Sequence, residues 1–259
     1  MWTRYRPRAS EYARWTTTIS ALDATAALMK SVPGAAPART RNAPSSNRST
    51  HAHGSYGVPD LDRLTIDDIR RRLLAQRGTT YDVPPELLGA ETREAAVLVP
   101  FVRIDDAWHI LYIRRAQIDG DRHSGQVAFA GGKREAGDTS LLDTALREAA
   151  EEVGIERGDV EVLGYINHHH TISEFQVRPY VGIVPWPYDL RLDPVEVAHA
   201  FTMPLVWLAE ESNYRTEARR HPDSQRPWPV VYFERYEGEL LWGATARMTL
   251  SLIETLRGG

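Results

Sequence analysis

Three carboxylates, Glu148, Glu151 and Glu152, follow the double glycine Gly131-Gly132 in the run Arg147-Glu148-Ala149-Ala150-Glu151-Glu152-Val153-Gly154-Ile155. Their spacing of i, i+3 and i+4 places them on one side of a helix, where like charges repel. Such a face calls for an offsetting cation. Arg147, four residues before Glu151, can supply one, and a bound divalent ion supplies more. Oxygen-only ligation suits Mg²⁺ or Mn²⁺, which bridge to phosphates, and suits Zn²⁺ poorly. Gly131 and Gly132 permit a close backbone approach that a Cβ would hinder. The chemistry indicated is metal-assisted hydrolysis of a phosphate compound. Attack by metal-activated water needs no covalent nucleophile, which suits a chain with no cysteine and no recognisable G-x-S-x-G elbow.

The helix that must carry these groups is amphipathic. Leu142, Leu146, Ala149 and Val153 can face a core, Asp138 or Thr139 can start the helix, and Gly154 suits its C-terminal cap. A glutamate-rich helix by itself reads as a solvated face. The many fixed positions around this one argue for a site.

The stretch resembles the Nudix box, G-x5-E-x7-R-E-U-x-E-E-x-G-U with U a bulky aliphatic residue, through Gly132, Arg147, Glu148, Glu151, Glu152, Gly154 and Ile155. It departs in three places: Asp138 stands at the first Glu, the next spacer has eight residues, and Ala149 replaces the first aliphatic residue. The resemblance implies an α+β fold, an α/β/α sandwich around a mixed β-sheet. It also implies an enzyme that hydrolyses a nucleoside diphosphate linked to another group X. On this resemblance Glu148, Glu151 and Glu152 form the metal-ligating set with a backbone carbonyl of Gly131 or Gly132, and Arg147 holds the glutamates in position. Glu196, in the Asp193-Pro194-Val195-Glu196-Val197 segment that resembles the family's loop and helix entry after the box, is a candidate further ligand or general base.

Upstream, Leu111-Tyr112-Ile113-Arg114-Arg115-Ala116 and Gly125-Gln126-Val127-Ala128-Phe129-Ala130-Gly131-Gly132 resemble the coenzyme A diphosphatase subgroup pattern L-L-T-x-R-[SA]-x3-R-x3-G-x3-F-P-G-G. Arg115, Ala116, Gly125, Phe129 and the glycine pair fit. Ile113 and Ala130 replace Thr and Pro, and one inserted residue leaves Asp121 at the second Arg, with Arg122 beside it. Arg115, Arg122, His123, Gly125 and Phe129 are the candidate substrate-binding residues. The substrate implied is coenzyme A or an acyl derivative, cleaved to 3′,5′-ADP and a phosphopantetheine. The alternatives are ADP-ribose, NADH or another diphosphate and, from a different class, a non-catalytic nucleotide sensor.

His168, His169 and His170 cannot converge on one ion if they lie on a strand, and they read as a polar loop with substrate contact as the alternative. Trp186, Trp207, Trp228 and Trp242 are candidates for stacking on adenine, most of them expected in the core.

The chain of 259 residues, 42% hydrophobic and 25% charged, can bury a sizeable core. Its net charge of −4 does not suggest a nucleic-acid binder, and no apolar run is long enough to span a membrane. The absence of cysteine is compatible with a cytoplasmic protein. The partner expected is a small nucleotide, with a homodimer as the candidate assembly. Eight Lys/Arg against Glu11 and Asp23 give residues 1–50 a charge of 8 − 2 = +6, leaving −4 − 6 = −10 for the remainder. Residues 1–57 read as a disordered basic extension. Residues 58–91 read as a helix capped at Thr65, burying Ile66, Ile69, Leu73 and Leu74, followed by a linker through Val83-Pro84-Pro85. Residues 92–257 form the catalytic domain. Within it strands are expected over 95–104, 108–114, 160–166, 175–184 and 230–236, and helices over 205–211 and 244–256.

Overall fold

The computed structural model describes residues 61–75, 92–118, 120, 123–171, 175–220 and 227–258. The basic segment 1–57 and the linker through Val83-Pro84-Pro85 lie outside the described residues. The apolar runs flanking Asp105-Asp106 form the hairpin of β1 (Arg93–Ile104) and β2 (Ala107–Arg115). Both aspartates adopt positive φ, 47° and 61°, as the tightest hairpin turns require.

The two strands pair only from Phe101 opposite Ile110 to the turn. Beyond that rung they part, and the gap between them holds β3 (Val127–Ala128), paired with β2, and β4 (Gly131–Lys133), paired with β1 over Ala95–Val97. A hydrogen bond of 2.9 Å from Leu98 N to Ala130 O closes the seam. The glycine pair is thereby wedged into the sheet. On the other edge of β1 lies β7 (Phe175–Ile183), parallel to it from Arg93 opposite Phe175 to Phe101 opposite Ile183. β7 in turn pairs antiparallel with β5 (Glu161–Tyr165) and β6 (His169–His170). Outside β2 runs β8 (Val197–Pro204). β9 (Tyr214–Arg220) and β10 (Pro227–Phe233) form a separate ribbon.

Alternate β1 side chains point to opposite faces. Leu98 and Val102 pack under helix α2 (Leu141–Val153) against Leu146, Ala149 and Val153. Val99 and Phe101 belong to the core on the opposite face, with Ile69 and Leu73 of α1 (Ile66–Ala75) and Met248, Leu252 and Leu256 of α4 (Gly243–Arg257). The result is the expected mixed sheet between helices. Thr65 and Asp68 cap α1 reciprocally, each backbone N–H meeting the other's side chain at 3.0–3.1 Å.

Several elements differ from expectation. Leu74, expected in the core, is 77% exposed. The cap of α2 is Ser140, whose hydroxyl accepts from Asp143 N at 3.1 Å, and neither Asp138 nor Thr139 takes that place. Gly154 ends the helix at φ 72° as expected. The segment after Glu196 extends as β8 before α3 (Leu205–Ala209) begins, and a 3₁₀ turn, Glu211–Asn213, replaces the end of the longer helix expected there. His169 and His170 form a short strand rather than a loop.

Replacing Ser140 by Ala removes the hydroxyl acceptor at the start of α2 and should lower stability by about 1 kcal/mol. A shift of the urea midpoint at unchanged slope measures it; an unchanged midpoint would show that the cap is dispensable.

Candidate active site

A helical step of about 100° separates Glu148 from Glu152 by about 40°, but leaves Glu151 about 100° from Glu152. The side chains follow that geometry. Glu152 is buried, Glu148 is largely buried, and Glu151 is 61% exposed. Of the three expected ligands Glu151 is the exposed one, and its Oε2 shares Arg147 Nη1 with Glu148, at 3.1 Å against 3.0 Å. Among the described residues no three carboxylate or imidazole groups converge as a ready-made ion site.

Glu148 and Glu152 face β4, where side chains are excluded. A Cβ on Gly132 would fall 2.4 Å from Glu148 Oε1, and one on Gly131 would fall 2.5 Å from Ala96 O. Backbone leaves no room for a side chain at Gly131, while one at Gly132 would displace the Glu148 carboxyl. The amide of Gly131 donates to Glu152 Oε2 at 3.1 Å, and Arg115 Nη1 lies 4.0 Å from Glu152 Oε1. Burial pushes the Glu148 carboxyl up to about 7 against the pull of Arg147, with the charges of Glu151 and Glu196 adding to the rise. Burial likewise pushes Glu152 up to about 8, helped by the charges of Glu148 and Glu196 and opposed by Arg115 and the Gly131 amide. Glu196, on the turn before β8, thus acts electrostatically on both buried carboxyls.

Arg147 is the hub. Its Nε and Nη2 grip Asp138 bidentately at 3.0 and 3.1 Å, and Nη1 reaches Glu148 Oε1 at 3.0 Å. Asp138 is buried and also accepts from Glu135 N and Thr144 Oγ1, each at 2.9 Å. Burial alone would raise its carboxyl, but the bonds from Arg147, Glu135 and Thr144 take it down to about 2. Asp138 therefore anchors the arginine, a role its place at the box's first acidic position could have signalled.

The upstream motif forms the 116–125 segment between β2 and β3. Ser124 Oγ accepts from Ile118 N at 2.7 Å and donates to Ala116 O at 3.3 Å, while Gly125 turns the chain at φ 66°. His123 is exposed, its Nδ1 3.1 Å from Gln126 Oε1. Arg122 and Asp121 lie outside the described residues. Phe129 corrects a substrate-binding expectation: it is 3% exposed and stacks on Tyr112 at 4.9 Å. It is a core residue that seats the strand before Gly131.

His169 pairs with Val177 and is buried, whereas His170 pairs with Gln176 on the other face. His168 Nδ1 lies 3.3 Å from Arg178 Nη2, and burial together with that guanidinium lowers its pKa. Of the tryptophans, Trp242 stacks on Tyr232 at 5.7 Å and Trp207 packs on Tyr236 at 4.9 Å. Trp186 lines a surface groove with Arg103 and Trp108.

The donor set fits a hard divalent cation. It is oxygen only, and two buried carboxyls held close to each other gain most from a positive ion that replaces their protons. Glu148, Glu152 and a carbonyl at Gly131 or Gly132 would hold it, with Glu151 joining by release from Arg147.

A mixed sheet between helices thus carries a buried acid pair behind a double glycine. The NUDIX domain model matches residues 92–223. An uncharacterized Nudix hydrolase NudL of Citrobacter koseri is 38% identical over 186 residues, covering 71% of this chain and 90% of that protein. NudL of Salmonella heidelberg is 36% identical over 194 residues, covering 74% and 95%. Among solved structures, the MutT/nudix family protein from Enterococcus faecalis aligns with a TM-score of 0.42 at 14% identity, over 78% of this chain and 74% of that one. The chain belongs to the Nudix family. Helix α4 lies beyond the matched span but shares the core.

The raised carboxyls make stability depend on pH. A carboxyl whose pKa is raised on folding contributes stability fully below its unfolded value, and the contribution is lost as pH rises through the folded one. With chelator present, the melting temperature should fall between about pH 5 and 8, the window between the ordinary glutamate value and those of Glu148 and Glu152. Mg²⁺ should restore it at pH 8. A flat melting profile in chelator would refute the buried acid pair.

Proposed function

We propose that this Nudix hydrolase is a Mg²⁺- or Mn²⁺-dependent diphosphatase acting on coenzyme A or its acyl derivatives. The observation that carries the reading is the meeting of two motifs in one place. Arg115, from the segment resembling the coenzyme A diphosphatases, lies 4.0 Å from Glu152 of the box, and the same segment ends in the glycine pair whose first amide donates to that carboxyl.

Hydrolysis requires water to attack one phosphorus of the anhydride, forming a P–O bond as the bridging P–O bond breaks. Coenzyme A then yields 3′,5′-ADP and 4′-phosphopantetheine. The divalent ion supplies charge neutralisation on the phosphate oxygens and a lowered pKa for bound water. Arg115 lies beside the carboxyl pair as a guanidinium able to pair with a phosphate oxygen. Glu196, half-buried and fixed by its backbone carbonyl to Ala116 N at 2.8 Å, is the group we assign to take the proton from the attacking water. Arg147 positions Glu148 and, held by Asp138, keeps its own orientation. Gly131 fixes Glu152 through its amide.

A second reading, hydrolysis of ADP-ribose or NADH, is favoured by Asp121, an acidic residue where the subgroup pattern has the second arginine. A non-catalytic sensor is disfavoured by the full set of box acids, which a binder does not need.

Purified protein with Mg²⁺, given coenzyme A, 3′-dephospho-coenzyme A, ADP-ribose and NADH in parallel, distinguishes these by chromatography of the products. Coenzyme A is expected to be turned over fastest; faster cleavage of ADP-ribose would overturn the substrate assignment. Glu152→Gln should reduce kcat by about 10³-fold or more, and Glu196→Gln by about 10²-fold. Full activity in the first variant would sink the metal assignment, and in the second the assignment of the base.

A further inference from the structure

Arg114 and Arg115 are neighbours on β2 and leave opposite faces of the sheet. Arg115 faces Glu152, whereas Arg114 Nη1 lies 2.9 Å from Oε2 of Glu239. The other oxygen of Glu239 lies 3.0 Å from Nε2 of His199. Arg114 and His199 are directly opposed in the β2/β8 ladder, so one carboxylate ties both strands across a single rung. Glu239 is presented by a tight turn. Tyr236 and Glu239 exchange backbone hydrogen bonds of 3.1 and 2.9 Å around Glu237 and Gly238, which have φ of 49° and 89°.

That rung is the last regular one. Beyond it the register slips, from Arg114 opposite His199 to Arg115 opposite Val197, leaving Ala198 as an extra residue. A bulge bends its strand and re-aims the side chains around it. Here they include Arg115 on β2, and just past the slip the turn carrying Glu196, whose carbonyl takes Ala116 N at 2.8 Å. Arg115 and Glu196 both lie outside the box helix, and their charges act on Glu152. The aim of both depends on a ladder that has lost its regular pairing at that point, and the Glu239 bridge restrains it from the side where pairing is intact.

We infer that Glu239 is a positioning residue of the active site: by bridging Arg114 and His199 it fixes the bulge that aims Arg115 and Glu196 at the buried carboxyl pair. Its catalytic consequence rests on the hydrolase reading above, while its structural consequence does not. Two measurements therefore test it separately. In Glu239→Ala the amide of Ala116 should exchange with solvent about tenfold faster or more, by NMR, while Ile110, paired with Met203 further up the ladder, keeps its protection. Unchanged protection at Ala116 overturns the inference.

In steady-state kinetics on the best substrate of the panel, Glu239→Ala should lower kcat by about tenfold with KM within about twofold, the mark of misplaced reacting groups rather than lost binding. Glu239→Gln keeps an acceptor for Arg114 and should recover part of kcat. As a control, Glu217→Gln removes an exposed ion pair with Arg215 on the β9/β10 ribbon and should leave kcat unchanged. A folded Glu239→Ala enzyme with wild-type kcat, or one whose only defect is a lower melting temperature, overturns the positioning role. If coenzyme A proves not to be the best substrate, the substrate assignment falls, and the exchange result still decides the role of Glu239.

Discussion

Two carboxyl groups buried side by side are the constraint on which the rest of this molecule depends. Removing a carboxylate from water disfavours its charge, and a second one nearby compounds the cost. The surroundings of Glu148 and Glu152 answer that problem in particular ways. β1 and β2 part to admit a glycine strand, the glycines leave no Cβ to displace the carboxyls, one amide is turned toward Glu152, and guanidinium groups stand on either side. Each of these compensations is partial. The carboxyls keep raised pKa values, which is the condition under which an incoming divalent ion gains most.

Two of the three departures from the family pattern are absorbed by the same hub that holds the glutamates. Asp138 is one methylene shorter than the glutamate of the box, and one more residue separates it from Arg147. The aspartate still reaches both Nε and Nη2 of the arginine and is fixed from behind by Thr144 and the Glu135 amide. The extra residue is taken up around the start of α2, where Ser140 rather than Asp138 provides the cap. This frees the aspartate for the arginine.

Features governed by local rules were legible in the chain. The period of Leu142, Leu146, Ala149 and Val153 marked α2, Gly154 marked its end, and the apolar runs over 95–104 and 108–114 marked β1 and β2. What long-range pairing decides was not legible. β3, β4 and β6 are two or three residues long and exist because neighbouring strands complete their ladders. β8 carries small and polar residues and a bulge, so it shows little alternation. Phe129 lies in a motif that suggests ligand contact, but its ring belongs to the core because Tyr112 opposes it across the sheet. The helical spacing of Glu151 placed it on the acidic face. The helical step already sets it about 100° from Glu152, and the position of Gly131 and Gly132 decides which side of the helix faces the strand. Glu239 had no local signal, because its partners lie on strands distant in sequence.

The parallel pairing of β1 with β7 sets the order in which the site can come into being. The box helix lies between these two strands in the chain, so the second edge of β1 is closed only by a segment that follows the box, and Glu196 and Glu239 follow later still. α2 can pack on β1 and β4, which precede it, but the sheet that carries the site is completed only by β7 and β8. A chain ending before β7 therefore carries the complete Nudix box on a sheet whose central strand is paired along one edge only, and it lacks Glu196 and Glu239.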